Sequence, residues 1–343
     1  MIDEQIKELI DQQKTIIEKL SKSKGKDRWD KLAILSTFLS SIVIAAIGIS
    51  FTNAYKAREV RVSEAQVIEK LVLHLSGTNE DAKKGALLAA ATLGNNEIAA
   101  RLGALYASPG TIEALETLLK KAKGEAKELL SDSLMDAYFN RGIEIIGKEG
   151  NCQDAIRDYD KLFKLKTENE IKQKKGSSFL SDCYLNRGVA YDRTNNYDEA
   201  VSDFEKCLQI NPNYWHAYLN LGIMFGYRKN PEKSFARALE YFNLAEKYST
   251  GTEERAEVYL KRGDFHTEKG DKSKAIEDYS KYISNKGDDY VGYFKRAIAY
   301  EMNKDFGNAE KDLKKAQRLA TNPTQQEEVN EKLKGIGRQL KKK

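Results

Sequence analysis

One phrase returns five times along this chain, and it limits the possible folds more than any other feature. Its clearest copy runs Tyr184-Leu-Asn-Arg-Gly188-Val-Ala-Tyr191, followed by Tyr197, Ala200, Phe204, Cys207 and Pro212. A unit of this length cannot bury its own apolar face. Stacked on its neighbours it can, so the pattern specifies a helical solenoid, an architecture whose usual work is holding other proteins.

The bulk composition agrees with helices and excludes several classes of function. Only 4 prolines occur among 343 residues, beside 41% hydrophobic residues. The net charge of +5 comes from 57 basic and 52 acidic residues, interspersed along the helices, so no nucleic-acid partner is expected. Cys152, Cys183 and Cys207 form no even framework and no CxxC pair, and the three histidines (His74, His216, His266) are scattered. Neither a disulfide scaffold nor a metal centre follows. Cys207 falls at a small core position and reads as a buried thiol. There is no HExxH, phosphate loop or Gly-x-Ser-x-Gly elbow, and Gly335-Ile-Gly337 has no preceding strand. The abundant Asp and Glu sit at solvent-facing helical spacing. No enzyme and no cofactor are expected.

The phrase resembles the tetratricopeptide repeat, in which a large residue at position 4, Gly or Ala at 8, an aromatic at 11, Ala at 20 and an aromatic at 24 knit two antiparallel helices. The first copy has Tyr138, Arg141, Gly142, Ala155 and Tyr159, and the second is the one quoted above. The third has Tyr218, Leu221, Gly222, Phe225, Ala238, Phe242 and Ala245, with four extra residues near Lys229-Asn-Pro-Glu. The fourth has Tyr259, Arg262, Gly263, Ala275 and Tyr279; the fifth Tyr293, Arg296, Ala297, Tyr300, Ala309 and Leu313. Lys172-Gln-Lys-Lys-Gly reads as an inserted basic loop, and His266 takes the aromatic position 11 as a core residue. The resemblance implies an all-α, right-handed superhelical solenoid, with five repeats over 132–322 and a capping helix with a basic tail over 323–343.

In the family the first helix of each hairpin lines a concave groove, with positions 2, 5, 6, 9 and 13 facing it. At position 6 stand Asn140, Asn186, Asn220, Lys261 and Lys295, and His216 is at position 2. The resemblance makes these the candidate peptide-binding residues, because an asparagine amide donates and accepts at once and can hold a peptide unit whatever its side chain. Ordinary solvation of a helix face accounts for the same residues. Family members that clamp a chaperone's acidic C-terminus use Lys at position 5 and Asn at position 9. Here those positions hold Phe139, Leu185 and Leu219, and Ile143, Val189 and Ile223, so the clamp is not expected.

Before the repeats, Leu32 to Thr52 contains no charged residue, and 21 residues of helix reach about 30 Å, the thickness of a bilayer core. A single transmembrane helix over 32–53 is expected; the rival readings are a buried helix and a signal peptide cleaved at the small-x-small site Thr52-Asn53-Ala54. Six basic residues from Lys19 to Lys31 precede it and three follow, which favours a cytoplasmic N-terminus and an extracytoplasmic C-terminal domain. The free cysteines argue the other way. Over 1–31, Ile2, Ile6, Leu9, Gln13, Ile16 and Leu20 follow a heptad pattern, an amphipathic helix suited to homodimerisation, before a basic juxtamembrane stretch. Two expectations of function result: a membrane-anchored scaffold binding a protein or peptide in its groove, or a structural oligomeriser driven by the heptads and the span. Residues 54–131 resemble a HEAT-like helical segment or serve as the N-terminal helical cap of the solenoid, with turns at Gly77-Thr-Asn and Gly94-Asn95 and a cap at Ser108-Pro-Gly-Thr111.

Overall fold

The computed structural model describes residues 61–92, 96–148, 151–228 and 234–341, with side chains from Glu69 onward. Every regular element among them is a helix. The expectations for 1–31 and 32–53 (the heptad seam, the span and their orientation) lie outside the described residues. Among the described residues no helix is long and apolar enough to cross a membrane. The chain divides into two compact units, one ending at Gly150 and one starting at Asn151.

The first unit holds α1 (Arg61–Ser76), α2 (Glu80–Thr92), α3 (Asn96–Leu105), α4 (Pro109–Lys121) and α5 (Gly124–Gly147). α2 packs on α1, α3 and α4, and α3 and α4 both pack on α5. Leu75, Leu87, Leu102, Leu115 and Met135 are its fully buried centre. The turn at Gly77 forms as its sequence demands, with the Ala82 N–H donating to Asn79 Oδ1 at 2.9 Å. Ser108 caps α4 in a reciprocal pair with Thr111, and Pro109 opens the helix. The break at Gly94-Asn95 lies outside the described residues. α5 runs through the boundary expected at 131, because Leu130, Leu134, Ala137 and Tyr138 continue one buried face with no Gly or Pro to interrupt it.

The second unit holds α6 (Cys152–Leu165), α7 (Glu168–Arg193), α8 (Tyr197–Ile210), α9 (Trp215–Ile223), α10 (Phe235–Tyr248), α11 (Thr252–Glu268), α12 (Lys272–Lys286), α13 (Tyr290–Met302), α14 (Phe306–Leu319) and α15 (Pro323–Leu340). Successive pairs α7–α8, α9–α10, α11–α12 and α13–α14 form hairpins, and α15 closes on α14. The small residue at position 8 sets the crossing. A Cβ on Gly188, Gly222 or Gly263 would stand 2.6, 2.9 or 2.7 Å from the ring of Phe204, Phe242 or Tyr279 at position 24. In the fifth repeat Ala297 occupies that site, and position 24 is the smaller Leu313. The basic insertion is not a loop. Lys172 to Lys175 continue the first part of α7, which opens with a capping box between Thr167 and Glu170, and only Gly176 (φ 89°) breaks it. The buried Ile171 anchors that helical turn and leaves the lysines outward.

The acidic residues are not all a solvent-facing surface. Asp203, Asp278 and Asp312 are buried, each gripped by the arginine at position 7 of its own repeat. Arg187 Nε and Nη2 donate to Asp203 at 2.7 and 2.8 Å. Arg262 donates to Asp278 at 2.9 and 2.8 Å, and Arg296 to Asp312 at 2.7 and 3.0 Å. The remaining Nη1 of each arginine reaches the helix just before its own hairpin: Asp160 on α6, Asn243 and Glu246 on α10, and Ser280 on α12. One planar fork therefore ties its own hairpin together and fixes it to the helix before it. Burial works against the charge on Arg262, but the bonds to Asp278 and Glu246 hold it protonated above its ordinary range.

Candidate functional site: the layer of first helices

The first helices of the second unit present four ridges at i, i+4, i+7 and i+11, the positions that share one helix face. On α7 the ridge is Asp182, Asn186, Val189 and Arg193; on α9 and the single π-turn that follows it (Met224–Arg228), His216, Asn220, Ile223 and Tyr227. On α11 it is Glu257, Lys261, Asp264 and Glu268, and on α13 Val291, Lys295, Ile298 and Met302. None of these residues is fully buried, whereas their neighbours Gly188, Leu221, Arg262 and Ala297 are buried or nearly so. The ridges of α11 and α13 touch: Lys295 Nζ donates to Asp264 Oδ1 at 2.7 Å, and the same oxygen accepts from the Tyr279 hydroxyl at 2.8 Å.

The residues at position 6 do not share one environment. Asn140, on α5 of the first unit, is exposed and donates from Nδ2 to the Ala104 carbonyl of α3 at 3.1 Å. Asn186 is half-buried beside the Tyr159 hydroxyl, whose pKa burial pushes well up. Asn220 donates to the His216 carbonyl one turn earlier on its own helix, at 2.9 Å. Lys261 is half-buried on α11. His216 stacks on Trp215 with ring centroids 3.6 Å apart and meets Tyr214 edge-on. The structure thus brings Lys295 and the Lys261 ridge together and puts His216 on the same ridge as Asn220.

Reading position 6 alone overlooks the carboxylates at positions 2, 9 and 13. Asp182 accepts from the Tyr214 hydroxyl, and burial raises its pKa above the usual carboxylate range against that bond. Beside this ridge, at position 12, Asp192 meets Arg228 at 3.4 Å. Glu257, Asp264 and Glu268 follow one another along α11. The same register that places the lysines also places them, so the signal was in the spacing. All three cysteines are buried and free, and burial pushes the Cys207 thiol up to about 12. His266 is buried as its position implies. No group of His, Cys, Asp or Glu that could hold a metal ion occurs among the described residues.

Residues 181–214 and 256–289 match the tetratricopeptide repeat family, and they begin at position 1 of the second and fourth repeats. These segments are tetratricopeptide repeats. The chain is 23% identical over 150 residues to the Hsp70-Hsp90 organizing protein of Triticum aestivum, covering 43% of this chain and 23% of that one. It is 30% identical over 99 residues to the small glutamine-rich tetratricopeptide repeat-containing protein 2 of Saccharomyces cerevisiae, covering 29% and 28%. The chain therefore spans less than a third of the length of the curated relatives it matches. Among solved structures, MamA shares 24% identity at a TM-score of 0.42, covering 55% of this chain and 98% of that one. BtubC from P. vanneervenii shares 18% at 0.48, covering 62% and 93%.

Proposed function

We propose that this protein is an interaction scaffold that holds a peptide segment of a partner protein against the ridges of α7, α9, α11 and α13. The observation that carries this reading is the row of half-exposed side chains on successive first helices, mixed apolar and polar, some of them also resting on the core. Asn186, Asn220, Lys261, Lys295 and His216 are the residues assigned to the contact. The relatives' names suggest a protein ligand. The apolar residues at positions 5 and 9 argue against an acidic chaperone terminus as that ligand. The scaffold has no catalytic step and needs no cofactor.

Residues 32–53 anchor the scaffold to a bilayer in this reading, on the strength of their uncharged sequence alone, with the C-terminal domain extracytoplasmic. The heptads of 1–31 pair two copies, and the helices of 54–131 form a HEAT-like segment. The test is cross-linking and pull-down from membranes with wild type and Asn186→Ala/Asn220→Ala. Loss of the partner with unchanged helical content is expected; full retention overturns the groove assignment. Deleting 32–53 should move the protein into the soluble fraction, and protease accessibility in the same membranes reads its orientation.

A further inference from the structure

The ridges of the fourth and fifth repeats differ in chemistry from those before them, and the difference specifies a ligand. On α13, Val291, Ile298 and Met302 stand on one face, half-exposed or, for Met302, 37% exposed, and none of them belongs to a buried cluster. Their spacings of seven and four residues put them about 10 and 6 Å apart along the helix. Alongside runs the α11 ridge with Glu257, Asp264 and Glu268 at the same spacings. Lys295 satisfies Asp264. The exposed Glu268 meets its half-buried neighbour Lys269 at 3.9 Å. Across the two ridges, three carboxylates thus face two lysines, with the outer two carboxylates exposed or half-exposed at either end of an apolar strip.

We propose that this pair of ridges receives a basic amphipathic helix, with apolar side chains on Val291, Ile298 and Met302 and lysine or arginine at Glu257 and Glu268. A helix carrying apolar residues at i, i+4, i+7 and i+11 repeats the spacing of the α13 strip, so its knobs fall in register. Its flanking cations meet carboxylates that lack a strong partner, which supplies orientation and rate of association more than affinity. An acidic segment would instead set like charges against Glu257 and Glu268. The inference rests on the groove reading above and narrows it to one end of the array and one charge.

The test uses the full chain in zwitterionic lipid nanodiscs, with empty nanodiscs as blank, and fluorescence anisotropy of three synthetic peptides of about fifteen residues. One has leucine at i, i+4, i+7 and i+11 with lysine between; the second has glutamate in place of lysine; the third scrambles the lysine peptide. The lysine peptide should bind about tenfold or more tighter than the other two, and Glu257→Gln/Glu268→Gln should weaken it by about tenfold. Ile298→Ser/Met302→Ser should abolish binding, with helical content unchanged. Equal or tighter binding of the glutamate peptide overturns the proposal, as does a lysine peptide indifferent to both double variants. If both charged peptides bind equally and Asn186→Ala/Asn220→Ala weakens both, the groove reading stands and this narrowing falls. If none binds, the narrowing also falls, and the membrane pull-down decides the groove reading separately.

Discussion

The third and fourth repeats sit side by side in the second unit and solve the same packing problem by different means. Around the third, one continuous apolar cluster runs from Ala200 on α8 through Trp215, Leu221, Phe225 and Phe242 to Phe265 on α11. From the fourth onward the apolar core breaks into smaller groups, and buried Arg–Asp forks join the hairpins instead. At position 7, where the other described repeats carry arginine, the third has the fully buried Leu221, and Tyr241 replaces the aspartate. Its first helix ends in a π-turn, and Ala238 follows Gly222 by sixteen residues, against twelve in the other three. A repeat can thus exchange its polar tie for aromatic mass, provided both partners change together. A lone arginine or a lone aspartate at this depth would be an uncompensated charge.

The largest effect should come from breaking one fork. Arg262→Ala strands Asp278, which is 3% exposed, and removes the bridge to Glu246. Denaturant unfolding should show a loss of about 3–5 kcal/mol in the transition that includes this repeat. Replacing both members, Arg262→Met with Asp278→Leu, should recover most of that loss, because it reproduces the apolar solution of the third repeat. If the double variant is no better than the single, the two solutions are not interchangeable, and the fork's reach to Asn243 and Glu246 is the essential part.

Next in size is the crossing at position 8. Gly188→Ala pushes a Cβ to 2.6 Å from Phe204, whose ring is buried and cannot swing away. The cost should be about 1–3 kcal/mol by thermal melting. Gly188→Ala/Phe204→Leu copies the Ala297 and Leu313 pair of the fifth repeat and should relieve much of it.

A smaller difference is readable by pH. Position 11 is Phe225 in the third repeat and His266 in the fourth. Burial lowers the His266 pKa, and Asp278 and Asp271 only partly oppose that. Arg262 and Lys274 act with burial. The unfolded imidazole titrates near ~6.5. With the folded value below it, the neutral ring's contribution is fully present above about pH 6.5 and is lost as pH falls through the folded pKa. Melting temperature should therefore fall between about pH 7 and 5 more in wild type than in His266→Phe. Equal slopes would mean that His266 is not the group responsible.

The repeats were legible because their signal is redundant: Tyr184, Gly188, Ala200 and Phe204 each occupy a position that recurs in other copies. The forks were equally periodic, since Arg187, Arg262 and Arg296 each precede an aspartate by sixteen residues. They escaped notice because a charged residue at helical spacing looks the same in sequence whether it faces water or a partner sixteen residues on. Lys172 to Lys175 misled for a related reason. Lysine is a good helix former, and Gly176 marks only the end of that helix, not a loop around it. At the groove, register places Asn220 but not its hydrogen bond to the His216 carbonyl, which depends on a rotamer that no spacing encodes.

The smallest effect concerns the turn between the two helices of a hairpin. In the second, fourth and fifth repeats its central residue is left-handed: Asn195 at φ 60°, Gly270 at φ 78° and Lys304 at φ 59°. Each sits seven residues after position 8; in the third repeat a π-turn ends the first helix and Ala238 follows position 8 by four residues more. Glycine occupies this conformation without strain, and asparagine is tolerated there. A lysine pays about 1 kcal/mol for it, offset in part because glycine loses more freedom on folding. Gly270→Ala should therefore destabilise by about 0.5–1 kcal/mol, and Lys304→Gly should stabilise by a few tenths to about 1 kcal/mol. Thermal melts of the two variants should move in opposite directions. A stabilising Gly270→Ala would mean that the fourth repeat's turn relaxes out of the left-handed region.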